Sequence, residues 1–128
     1  MILQSIKIIA LALQLQNPNI MSAICWVESN HRNVINKDDG GSPSYGICQI
    51  KLSTANWMHF KHKLGDKELT AEDLMKPEVN ILYASLYLKY QLNRYDTLRC
   101  AISAYNAGRC IKSNQKTYVK KVLKRMKK

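Results

Sequence analysis

Apolar side chains recur at intervals of three and four residues along almost the whole chain, a spacing that suits helices packed on helices and little else. Ile2, Ile6, Ile9 and Leu13 open the series, and Ile20, Ile24 and Val27 continue it on a second helix that should end near Ser29. Residues 30 to 45 break the pattern: Asp38-Asp39-Gly40-Gly41-Ser42-Pro43 is turn chemistry, with room for a short hairpin. A third helix is expected after Ser53 as its N-cap, and Pro77 suits the first turn of the next. There Val79, Leu82, Tyr83, Leu86 and Tyr90 form one apolar stripe; Leu98, Ala101, Ile102 and Tyr105 form another, stopped by Gly108. A last helix sets Tyr118, Val119, Val122, Leu123 and Met126 against lysines. The expectation is a mainly α domain over residues 1–128, of six to seven helices, with a polar loop after the second.

Charge is concentrated at one end. The net value is +11, yet residues 112–128 hold eight bases and no acid, leaving 12 bases against nine acids elsewhere. A basic end favours an anionic partner, whether nucleic acid, lipid or wall polymer. The lysines fall on one helix face with no nucleic-acid reading motif, so a solvated face is preferred over nucleic-acid binding. No segment is long and apolar enough to span a membrane. Ile6 to Leu13 with Ala10 and Ala12 imitates a secretion signal, but the run is short and carries Lys7, so an amphipathic helix of the domain itself is expected.

The four cysteines, Cys25, Cys48, Cys100 and Cys110, form no CxxC pair, which argues against zinc. An oxidising compartment would permit a disulfide, for which Cys100 and Cys110 are the closest pair in sequence, but the sequence leaves the pairing open; Cys25 and Cys48, in apolar surroundings, are expected as free buried thiols. Burial also counts against a nucleophilic cysteine paired with His31. His59 and His62 share a helix face but lack a third ligand, so surface histidines are expected and no metal.

Glu28 is the residue out of place. It follows Ile24 and Cys25 by one turn on the same face, near the negative end of a helix, and both settings favour its protonated form. A proton held at neutral pH is what a general acid needs. Position alone leaves an exposed helix-end carboxylate as an equal alternative.

Asn17-Pro18-Asn19-Ile20-Met21-Ser22-Ala23-Ile24 leading into Glu28-Ser29, then Gly46-Ile47-Cys48-Gln49-Ile50, Pro77-Glu78-Val79-Asn80-Ile81, Ala104-Tyr105-Asn106-Ala107-Gly108 and Tyr118-Val119 occur in that order. Together they resemble the motifs of soluble lytic transglycosylases over nearly the whole chain. The resemblance implies a lysozyme-like fold, peptidoglycan strands as substrate, action in the periplasm or cell wall, a monomer, and no cofactor or metal. By the same resemblance Glu28 is acid and then base. Gln49 and Asn106 offer amides to sugars, Tyr105 lines the cleft, and Tyr118 supports the carboxyl, although both tyrosines also fit core stripes. Ser29 and Asn36 fall at substrate-contact positions. Cys48 stands for the usual Met, Lys51 where a Met often lines the groove, and Asn114 where some members have Glu. Goose-type lysozymes, which are related, suggest that Asp38 or Asp39 could hold a hydrolytic water; a solvated Asp-Gly turn is preferred here. A phage particle, lysis or a secretion system would each carry such an enzyme to its wall. The basic helix is expected to draw it to anionic envelope polymers.

Overall fold

The computed structural model describes residues 9, 17 and 19–127. The first expected helix and the imitation signal lie outside them, apart from Ile9, which is helical and rests on the main core. Asn17 caps the next helix: its Oδ1 accepts the Asn19 N–H at 2.9 Å, and its carbonyl accepts that of Ile20 at 3.1 Å. That helix, α1 (Asn19–Ser29), buries Ile20, Met21, Ile24 and Cys25 completely. Burying a side chain such as Ile24 stabilises the fold by about 1.5–3 kcal/mol.

The polar loop contains the hairpin its turn residues allowed. Strand β1 (Ile35–Asp39) pairs antiparallel with β2 (Ser42–Tyr45), which pairs with the two-residue β3 (Ile50–Lys51). Gly40 and Gly41 turn the hairpin with φ of +66° and +96°, and the register slips between Asn36 and Asp39. Strand β3 runs straight into α2 (Leu52–Lys61). The helix therefore starts at Leu52, with extended Lys51 as N-cap, and not after Ser53 as its hydroxyl suggested. Pairing to β2 fixes the extended backbone at Lys51, and that outweighs the capping preference of an exposed serine.

A short α3 (Ala71–Leu74) opens with a capping box between Thr70 and Asp73, whose two backbone N–H groups bond to each other's side chains. Those bonds hold the exposed Asp73 carboxyl below its usual range. Helix α4 (Pro77–Arg94) has Pro77 in its first turn; α5 (Leu98–Ala107) is capped by Thr97 and ends on left-handed Gly108. The closing helix is interrupted. α6 (Lys112–Asn114) passes into a π-helical segment, Gln115–Val119, and then α7 (Lys120–Met126).

Helix α4 is the common wall of two cores. Ile81, Ala84 and Leu88 face the larger, shared with α1, α5 and α7; Tyr83 and Leu86 face the smaller, with Ile50, Ala55, Met58 and Leu74. The mainly α, lysozyme-like architecture expected from the periodicity and the motifs is the one observed.

Two expectations about side chains are overturned. Cys25 and Cys48 are buried, but they are not free thiols: α1 packs on the turn at Gly46–Gln49 with the two Cα atoms 4.2 Å apart, and the sulfurs are joined. Cys100 and Cys110 form a second bridge across the end of α5. His59 is not a surface residue. Only 6% exposed, it lies between the Tyr83 hydroxyl at 2.5 Å and the Lys67 carbonyl at 2.9 Å, both ring nitrogens occupied. His62 is exposed, and no cluster of metal-ligating groups occurs among the described residues.

Candidate active site

The C-terminal ends of α1 and α5, the hairpin, β3 with the first turn of α2, and the middle of α4 enclose a cleft of about 190 Å³. Glu28, Asp39, Gln49, Lys51, Tyr105 and Asn106 line it, with Ile50, Thr54, Tyr87, Ala107 and Gly108.

Glu28 reaches this wall from the penultimate position of a helix whose inner face is apolar. Its pKa is raised to about 7. Burial is the main cause and the negative charge of Asp39 adds to it, while hydrogen bonds from Tyr118 and the Asn106 amide work the other way. The Tyr118 hydroxyl donates to Glu28 Oε2 at 2.8 Å. Burial and the adjoining carboxyl push that phenol well above its ordinary value, so it remains a donor at any physiological pH. It is the π-helical segment that carries Tyr118; such local widening of a helix often marks a functional position.

Asn106 is oriented from behind. Its Oδ1 accepts the Asn114 amide at 2.9 Å, which turns its own N–H groups toward the cleft. Asn114 Oδ1 is buried without a partner, an uncommon state for an amide oxygen.

The opposite wall is a turn under several constraints. Gly46 has φ +80°, and a Cβ there would collide with the Asn80 amide and the Leu74 carbonyl. Asn80, fully buried, donates to the carbonyls of Tyr45 at 2.7 Å and Leu74 at 2.9 Å and accepts the Cys48 N–H at 2.9 Å. The Tyr105 hydroxyl donates to the Cys48 carbonyl at 2.8 Å. The Cys25–Cys48 bridge then ties the turn to α1 one helical turn before Glu28.

Several expected sugar contacts sit differently. The Gln49 amide donates to the carbonyls of Val34 at 2.9 Å and Gly46 at 2.8 Å and accepts the Ser44 hydroxyl at 2.8 Å. It forms cleft wall, but it braces the hairpin and has no N–H to spare for a sugar. Ser29 is 6% exposed, its hydroxyl between the carbonyls of Ile47 at 2.6 Å and Cys25 at 3.2 Å, and it does not line the cleft. Asn36 is exposed on β1 opposite Ser44, outside the lining. Of the two aspartates, Asp39 lines the cleft and Asp38 does not. Sequence reasoning missed Tyr87, Thr54 and the bracing role of Asn80. Tyr87 stands one turn beyond Tyr83 on α4, and that repeat was its only signal.

The chain is thus a small, mainly α, lysozyme-like domain with one proton-holding carboxyl in its cleft. The profile of the transglycosylase SLT domain matches residues 8–127, and the chain belongs to that family, whose members are peptidoglycan lytic transglycosylases. Among solved structures, the 70 kDa soluble lytic transglycosylase SLT70 of Escherichia coli is similar in fold, with a TM-score of 0.63 and 24% identity. The alignment covers 84% of this chain and 16% of that one, so the chain spans a small part of SLT70's length. No curated protein matches the chain. No helix among the described residues is long and apolar enough to cross a membrane.

Proposed function

We propose that this chain cleaves the β-1,4 bond between N-acetylmuramic acid and N-acetylglucosamine in peptidoglycan and leaves a 1,6-anhydromuramic end. The observation that carries this reading is the Glu28 carboxyl, raised to about pH 7 within a cleft and held by the Tyr118 hydroxyl. Glu28 gives its proton to the glycosidic oxygen as the bond from the anomeric carbon breaks. The substrate's acetamido group stabilises the positive charge left on that carbon. The C6 hydroxyl oxygen then bonds to the carbon, and ionised Glu28 removes the hydroxyl proton. Water takes no part and the enzyme ends as it began. Asn106 and Tyr118, both donating to the ionised carboxyl, stabilise the state between the two proton transfers. Domain boundaries at 1–128, action in the wall, and monomeric function belong to the same proposal.

One observation favours a second reading. Asp39 shares the cleft with Glu28, and a carboxylate there could activate a water for direct hydrolysis. Mass analysis of digested, purified wall separates the two, since an anhydro end is lighter than a hydrolytic end by one water. Anhydro fragments from the parent and none from Glu28→Gln are expected. Reducing ends alone, abolished by Asp39→Asn, would establish the hydrolase instead. No fragments at all would leave a binding module.

A further inference from the structure

A second cavity, of about 350 Å³, is lined by Trp26, Val27, Asn30, Lys121, Lys124 and Arg125. Trp26 and Glu28 are two positions apart on α1, about 200° around the helix, so this cavity opens away from the cleft. The proposed cleavage makes no use of it.

Its charge is unbalanced. Lys121, Lys124 and Arg125 stand three and four residues apart on α7, where like charges crowd one helix face and oppose each other. Residues 112–128 supply no acid, and the one salt bridge among the described residues joins Lys76 to Asp73. The site is also built. The Arg125 guanidinium lies 3.8 Å from the centre of the Trp26 ring, a stacking that fixes the plane of its donors. Trp26 meets His31 edge-on at 5.4 Å, and His31 is held by the Ser22 carbonyl at 2.9 Å. Three cations lining one cavity against an aromatic wall call for an anion.

We infer that this cavity binds carboxylates of the peptide stems on peptidoglycan outside the stretch being cut, as an anchor that holds the enzyme on the wall. The identity of the polymer rests on the cleavage reading; the demand for an anion does not. A guanidinium accommodates a carboxylate through two parallel N–H bonds, and the lysines add charge at the rim. An anchor on the face away from the cleft raises the local concentration of cleavable bonds without occupying the site that cuts them.

The test uses the full chain carrying Glu28→Gln, sedimented with insoluble peptidoglycan. Lys121 and Lys124 are exposed, so Lys121→Gln/Lys124→Gln should fold normally, which an unfolding midpoint checks. Loss of both charges should weaken wall binding by about tenfold, and Lys121→Arg/Lys124→Arg should restore it. In the active enzyme, cleavage of short soluble glycans by the Gln pair should stay within about twofold of the parent. Walls whose carboxyls have been amidated should bind the parent as weakly as untreated walls bind the Gln pair, whereas stripping phosphodiester polymers should change nothing. Unchanged binding by the Gln pair, indifference to amidation, or loss only on removal of phosphate would overturn the anchor. An active-site-intact enzyme that releases no fragments, yet is retained through Lys121 and Lys124, would sink the cleavage reading alone.

Discussion

Buried as it is, the Glu28 carboxyl becomes a burden on the fold once it loses its proton above neutral pH. A carboxyl whose folded pKa is raised from 4.5 to about 7 adds stability while it is neutral, fully below the lower value, and loses that contribution as pH rises through the upper one. Glu28→Gln, which cannot ionise, should therefore be more stable than the parent at about pH 8, the gap closing toward about pH 4. Urea unfolding at the two pH values reads this, and equal midpoints at both would remove the case for a desolvated carboxyl. The hydroxyl of Tyr118 favours the charged form, so Tyr118→Phe should raise the Glu28 pKa further. Because the first step needs the protonated acid, the alkaline limb of the rate profile should move upward while the maximal rate falls by about tenfold. An unmoved limb would mean that Tyr118 only packs.

Two segments with little regular structure align the catalytic groups. One is the Gly46–Gln49 turn, fastened to α4 by Asn80, to α5 by Tyr105 and to α1 by the Cys25–Cys48 bridge. The other is the π-helical stretch, which presents Tyr118 to α1 from the closing helix. The bridge spans a sequence separation of 23, and closing such a loop in the unfolded chain stabilises a fold by about 2–4 kcal/mol. Cys25→Ala/Cys48→Ala should lose about that much by denaturant midpoint. Its cleavage rate should also fall where the fold remains intact, since the turn and Glu28 are no longer held at one spacing. Full activity with lowered stability would show the bridge to be structural alone.

Across the molecule, stability should fall from the centre outward. Helix α4 contributes to both cores and buries Ile81, Ala84 and Leu88 completely. Strand β1, at the edge of the sheet, is exposed from Ile35 to Asp38 and, among the described residues, partnered on one side only. Its amides should exchange hydrogen first and those of α4 last, the gradient that few buried contacts and solvent-exposed hydrogen bonds produce. Amide exchange followed by mass spectrometry checks this; protection of β1 equal to that of α4 would contradict it. Asp39 ends β1, so the element that brings a second carboxylate to the cleft is one whose first four residues are all exposed.

Periodicity and turn chemistry alone specified α1, α4, α5 and the closing helical segment, the break at residues 30–45, the Gly108 stop and the apolar setting of Glu28, because each follows from neighbours three or four residues away; they missed α3 and the π-helical interruption. Motif resemblance added the company Glu28 keeps, and Tyr118, 90 residues distant, does reach it. What the chain could not disclose were matters of proximity between distant segments: Cys25 opposite Cys48, His59 enclosed by Tyr83 and Lys67, Asp39 inside the cleft and Asp38 outside it. The same holds for Gln49, whose amide is consumed by hairpin carbonyls that only the folded turn brings within reach. Local spacing governs which face a side chain takes, whereas its partner is decided when separate elements pack, and only the tertiary structure contains that.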